Sequence, residues 1–105
     1  MQEELHISIV QANLHWENKK ENLAQFSAFL NNVEYSDIIL LPEMFNTAFC
    51  PEQITLAETM DGTTVSWMKT IVQQKKCAIA GTLMIQESDK VYNRLMWFLK
   101  EGVVT

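Results

Sequence analysis

The residue best placed to do chemistry is Glu43. It follows Asp37-Ile38-Ile39-Leu40-Leu41-Pro42, an apolar run bounded by an aspartate and a proline, and it precedes Met44-Phe45. Such a run reads as a short strand buried on both faces. Pro42 has no N–H to give to a ladder, so the strand stops there. Glu43 is therefore a carboxylate delivered at the carboxyl end of a strand, where open α/β sheets bind their ligands. Held partly out of water, it can serve as a general base. On this pattern alone, a carboxylate that merely caps the following turn is an equal reading.

Two thiols offer a nucleophile. Cys50 lies in the loop just after Glu43, so a thiol and a base share one loop. No histidine is placed to assist it, and Pro51 restricts its backbone. Cys77 opens an apolar strand. The two cysteines lack a paired spacing and read as reduced thiols in a cytoplasmic protein. His6, alone in a strand, reads as structural. Asn93, inside another strand, either orients a loop near Glu43 or satisfies local backbone.

The elements that must carry these groups follow from periodicity. Leu5 to Ala12 alternates Leu5, Ile7 and Ile9 with His6, Ser8 and Val10, a strand with two unlike faces. Asn18 with Glu21 forms a capping box for a helix whose stripe is Leu23, Phe26, Leu30 and Val33, closed by Asn31 and Asn32. Lys19 and Lys20 read as a solvated face. Ile38 to Leu41 completes a right-handed βαβ unit with a parallel pair, a sheet that calls for layers on both faces. Met44 to Gly62 is irregular, with a helical turn within 52–60, and a loop of that length beginning at Glu43 favours function.

Thr63 or Thr64 caps a second helix running to Lys76, with Val65, Met68, Ile71 and Val72 buried and Trp67 in packing. Lys75 and Lys76 suit its last turn. Cys77 to Ile85 is a third strand in which Gly81 marks a bulge or a close backbone approach. Glu87 to Lys90 turns the chain into a fourth strand, Val91 to Leu99, as a hairpin. Lys100-Glu101-Gly102 is another turn, and Val103-Val104-Thr105 reads as the opening of a fifth strand. An ending there leaves an unpaired edge, so the chain reads as part of a protein.

At 105 residues the chain is one domain at most, and its 48% apolar content excludes disorder. The net charge of −5, with no basic run, argues against nucleic acid and anionic membrane as partners. No apolar run is long enough to span a bilayer, and the acidic start is unlike a signal peptide.

Four features in order resemble the amino-terminal part of the nitrilase, or carbon-nitrogen hydrolase, superfamily. They are Val10-Gln11-Ala12 ending the first strand; Ile39-Leu40-Leu41-Pro42-Glu43-Met44-Phe45; Ala80-Gly81-Thr82; and Tyr92-Asn93-Arg94 followed by Lys100-Glu101-Gly102. Pro42-Glu43-Met44-Phe45-Asn46-Thr47 is most similar to the omega-amidase branch, although Ala48 stands before Phe49 where that branch commonly has glycine.

The resemblance implies an α/β fold, the amino-terminal part of an αββα four-layer sandwich, with a mixed sheet carrying two helices on one face. It implies a Cys-Glu-Lys triad that cleaves the terminal amide of a short dicarboxylate monoamide through a thioester, with no metal and no organic cofactor. It also implies a homo-oligomer. Only Glu43 carries over by position. The lysine and the nucleophilic cysteine of the family fall beyond Thr105; Lys100, Cys50 and Cys77 do not match them. Residues 1–105 thus read as a single partial domain, expected to be inactive alone. Phe45 and Phe49, near Glu43, are candidates for lining the substrate pocket. The competing class is a non-catalytic α/β interaction domain or remnant that pairs with another chain.

Overall fold

The computed structural model describes residues 4–99, so the Lys100–Gly102 turn and the expected fifth strand lie outside it. Chain order is β1 (Ile7–Ile9), α1 (Lys19–Asn31), β2 (Ile38–Leu40), a 3₁₀ turn (Ile54–Leu56), α2 (Thr63–Lys75), β3 (Ala78–Glu87) and β4 (Lys90–Phe98). The four strands form one mixed sheet in the order β1-β2-β3-β4. β1, β2 and β3 run parallel, with Ile7 opposite Ile38 and Ile38 opposite Ala78; β3 and β4 are antiparallel, with Met84 opposite Asn93. β2 is thus an interior strand, as its apolar run requires.

Both helices form where their stripes predict. The Asn18 side chain accepts from the Glu21 N–H at 3.1 Å and caps α1. Lys76 closes α2 in the left-handed conformation, its N–H donating to the Val72 carbonyl. Leu23, Phe26 and Leu30 from α1 join Val65, Met68, Ile71 and Val72 from α2 over Ile39, Ile79, Leu83, Ile85, Met96 and Phe98 of the sheet. Trp67 ties the helices together, donating its indole N–H to the Ser27 hydroxyl at 2.9 Å while its ring lies beside Phe26 and Phe45.

Among the described residues the helices cover one face of the sheet and the other is covered only in part, which corrects the expectation for the central strand. Ile39 faces the helices and is fully buried, but Ile38 and Leu40 face the other way and are only partly buried. Their neighbours on that face include Ile9, 75% exposed, and Leu95, 59% exposed. β1 is also shorter than its alternation suggests, because its apolar residues Leu5, Ile7 and Ile9 lie on the uncovered side. Part of that side is closed by the loop after Glu43: Met44 and Cys50 pack with Met84, flanked by Leu56, Ala57 and Val91.

Candidate active site

The candidate site begins where β2 ends. The Leu41 N–H donates to the Ala80 carbonyl at 2.8 Å, the last parallel-ladder bond before Pro42 interrupts the pattern. The chain then turns tightly: Thr47 and Ala48 N–H groups both donate to the Met44 carbonyl, at 3.2 and 2.9 Å. Met44 adopts a left-handed backbone, with φ at 47°. That conformation costs a non-glycine residue roughly 1–2 kcal/mol, so the surroundings must hold it. Thr82 does so from β3. Its hydroxyl accepts from the Met44 N–H at 2.8 Å and its carbonyl from the Phe45 N–H at 3.3 Å.

Side chains then part across the sheet. Met44 packs on the open side, and Phe45 is fully buried on the helix side, edge-on to Phe26. Room for Phe45 comes from Gly81, where an added Cβ would lie 2.8 Å from the Phe45 ring and 3.0 Å from Leu41 Cβ. The strand glycine therefore marks a close approach rather than a bulge.

Glu43 itself is exposed. It is thus not withdrawn from water in the way a doubly covered strand end would require, because the described residues leave this face of the sheet open. One of its oxygens, Oε2, accepts from the Asn93 side-chain amide at 3.1 Å. Of the two readings open for Asn93, the structure selects the one in which it orients the Glu43 segment. Phe49 is 57% exposed and Phe45 is a core side chain, so the structure separates the two candidate pocket residues onto different surroundings. Cys50 is fully buried, its thiol 3.9 Å from the Thr47 carbonyl, and so is not presented to a substrate. Burial pushes the Cys77 thiol up, with the Lys75 ammonium partly offsetting it, and that group too sits in the core.

A second carboxylate, Glu58, was hidden in the long loop. Its backbone pairs with Ile85, continuing the position beside β3 that β2 vacates: the Glu58 N–H donates to the Met84 carbonyl at 3.0 Å and the Gln86 N–H donates to the Glu58 carbonyl at 2.7 Å. This register turns its side chain under α2. There it accepts from the Thr64 N–H at 2.8 Å, the Thr64 hydroxyl at 2.6 Å and the Asn46 amide at 3.2 Å, and it pairs with Lys19 at 3.2 Å. Burial alone would raise its pKa, but the two bonds from Thr64 and the Lys19 ammonium outweigh that, so the carboxyl sits below its ordinary range.

Two sequence expectations change here. Gly62, not a threonine, is the N-cap of α2, and Glu58 takes over the capping bond. Lys19 is half-buried in an ion pair rather than on a solvated face. The loop is tied to α1 by Asn22, whose fully buried amide donates to the Asn46 carbonyl at 3.0 Å and the His15 carbonyl at 2.8 Å.

A cleft of about 540 Å³ lies in this same seam, between the starts of α1 and α2, lined by Lys19, Leu23, Glu58, Gly62 and Thr64 among others. It does not include Glu43. Glu58 has both oxygens engaged by neighbours, whereas Glu43 is exposed and accepts one side-chain hydrogen bond, from Asn93.

Comparison with known proteins assigns the class. The carbon-nitrogen hydrolase family matches residues 6–105, and the chain belongs to that family. It is 32% identical to the omega-amidase YafV of Escherichia coli (strain K12) over 100 residues, covering 95% of this chain and 39% of that protein. The omega-amidase YafV of Yersinia enterocolitica is 26% identical over 102 residues, with the same coverage of 95% and 39%. Among solved structures, XC1258 from Xanthomonas campestris, a CN-hydrolase superfamily protein with an arsenic adduct in its active site, superposes with a TM-score of 0.90 at 35% identity, over 96% of this chain and 38% of that one. The fold is therefore the amino-terminal part of a nitrilase-like sandwich, with one helical layer and one sheet layer, and the chain spans about 39% of the length of the curated relatives it matches.

Proposed function

We propose that the complete protein containing this chain is an amidase-type carbon-nitrogen hydrolase that removes the terminal amide of a short dicarboxylate monoamide, with Glu43 as general base. A cysteine thiolate attacks the amide carbon, Glu43 takes up the thiol proton, and the carbon–nitrogen bond breaks as that proton passes to the departing ammonia. Water, deprotonated by Glu43, then hydrolyses the thioester to the carboxylate. A lysine stabilises the oxyanion. The cysteine and lysine lie outside residues 1–105 in this reading, so the 105-residue chain is a partial domain without turnover. The reading extends to a cytoplasmic homo-oligomer that needs neither metal nor organic cofactor.

The observation that carries this reading is the position of Glu43: an exposed carboxylate at the carboxyl end of an interior strand, on the open side of the sheet, with one oxygen held by the Asn93 amide. The similarity to omega-amidases from two organisms supports the substrate class. The test is ammonia release from a short dicarboxylate monoamide. Turnover by the complete protein should fall by roughly 10²–10⁴ in Glu43→Gln, the range for loss of a general base. Turnover by the 105-residue chain that disappears in Glu43→Gln would show that the triad account is wrong.

The exposed apolar face formed with Ile7, Ile9 and Leu95 favours a second reading, a non-catalytic domain that packs on another chain. A complete protein that folds and binds a partner but releases no ammonia from any short amide would select it.

A further inference from the structure

We infer that the β3–β4 hairpin is the device that aims Glu43, with Asn93 as the positioning residue for its carboxylate and Thr82 as the anchor of its backbone. The inference rests on the reading of Glu43 as the base. Both groups come from the open side of the hairpin, where Thr82 is opposite Leu95 and Met84 is opposite Asn93. Thr82 takes the Met44 N–H at 2.8 Å, and Asn93 donates to Glu43 Oε2 at 3.1 Å. The turn carrying Glu43 is thus gripped at both ends, backbone and carboxylate, by two side chains whose separation the β3–β4 register sets.

The grip has a purpose beyond stability. An exposed glutamate has three side-chain torsions to lose, and a base must be within hydrogen-bond reach of the proton it takes. Fixing Oε2 leaves Oε1 free to receive that proton in a set direction. The donor is also chemically suited. A neutral amide orients a carboxylate without opposing its protonation as strongly as a cation does. A cation is close by: Arg94, the next residue, is opposite Leu83, so it projects on the helix side. There it pairs with Glu87 at 3.2 Å and lies over the Tyr92 ring at 5.3 Å. A shift of one residue in the hairpin register would put Arg94 on the Glu43 side. The register therefore selects an amide for the base and turns the guanidinium away.

The test uses the complete protein, with melting temperature as a control for folding. Asn93→Leu should lower kcat roughly ten- to a hundred-fold, the scale expected when a reacting group loses its orientation, with KM changed by no more than about two-fold. Asn93→Asp, nearly the same shape with a like charge in place of the donor, should be at least as damaging. Thr82→Val should lower kcat, and Thr82→Ser, which keeps the acceptor, should restore it; this pair carries the test if an Asn93 variant does not fold.

A merely structural role would lower the melting temperature and leave kcat unchanged below the transition, and that result overturns the inference. So does a folded Asn93→Leu protein with unchanged kcat and unchanged melting temperature while Glu43→Gln is inactive, which leaves the base reading standing. An active Glu43→Gln protein overturns both.

Discussion

Two glutamates in one loop have opposite fates. Glu58 has an 8% exposed side chain, accepts three hydrogen bonds and pairs with a lysine. Glu43 is exposed and accepts from one neutral amide. Both are carboxylates beside the same strand, β3, but Glu58 lies on its helix side and Glu43 on its open side. The first is fully used in holding α1, α2 and the loop together. The second has capacity left over. A carboxylate whose lone pairs are all occupied is structural, and one that is oriented but unsatisfied is available for proton transfer.

This contrast is broken if the two residues respond alike to the same change. Glu43→Gln should remove activity and leave stability within about 0.5 kcal/mol, as for an exposed substitution. Glu58→Gln should do the reverse in kind, costing about 1.5–3 kcal/mol in urea denaturation, because the α2 amino terminus and the part-exposed Lys19 lose a hydrogen-bonded anion. pH sharpens the distinction. The folded pKa of Glu58 lies below its ordinary value of 4.5, so its contribution is complete above that value and is lost as pH falls through the lower folded pKa. Urea midpoints measured downward from pH 5 should fall more steeply in the parent than in Glu58→Gln. Parallel curves would mean that the Thr64 and Lys19 contacts are not what holds this junction.

Most of the scaffold was legible in the chain, and the reasons are local. The Leu23-Phe26-Leu30 and Val65-Met68-Ile71-Val72 stripes repeat at helical spacing and were bound to face a core. The β3–β4 hairpin announced itself through an apolar strand, a short polar turn and a second strand. The site was legible only in part. Glu43 is marked by the proline before it. Glu58 carries no such mark, because its partners Lys19, Asn46 and Thr64 are scattered along the sequence and meet only once the sheet forms. Phe45 shows the converse: nearness to Glu43 in the chain gave no sign that the turn sends its ring through to the core. Apolar alternation in β1 identified two faces without saying which of them the chain would cover.

Between the two carboxylates runs the segment that keeps them on separate sides, and Gly81 tests its packing. An alanine Cβ there meets the Phe45 ring at 2.8 Å and Leu41 Cβ at 3.0 Å, on either side of Glu43. Overpacking of this kind costs about 1–3 kcal/mol. Gly81→Ala should lose that much stability and, by displacing the turn, lower activity as well. It would therefore affect both properties together, unlike a change at either glutamate. A loss of stability with full activity would show that the aim of Glu43 does not depend on how Phe45 is seated.

The smallest effect is expected at Ala48, where the omega-amidase branch commonly has glycine. Ala48 is buried and adopts φ of 70°, in the left-handed region that glycine reaches at little steric cost. Its N–H closes the turn onto the Met44 carbonyl at 2.9 Å, so the conformation is imposed by the same turn that carries Glu43. Ala48→Gly relieves strain of roughly 1–2 kcal/mol and gives back about 0.4–1 kcal/mol through the greater freedom of the unfolded chain. The net gain should lie between about zero and about 1.6 kcal/mol, read as a higher urea midpoint with an unchanged slope. Activity should be unaltered, because the Thr82 and Asn93 contacts to this turn involve neither Ala48 nor its side chain. A destabilised Ala48→Gly protein would mean that the methyl group packs well enough to outweigh its strained backbone, and that the left-handed turn is held from the core rather than from β3.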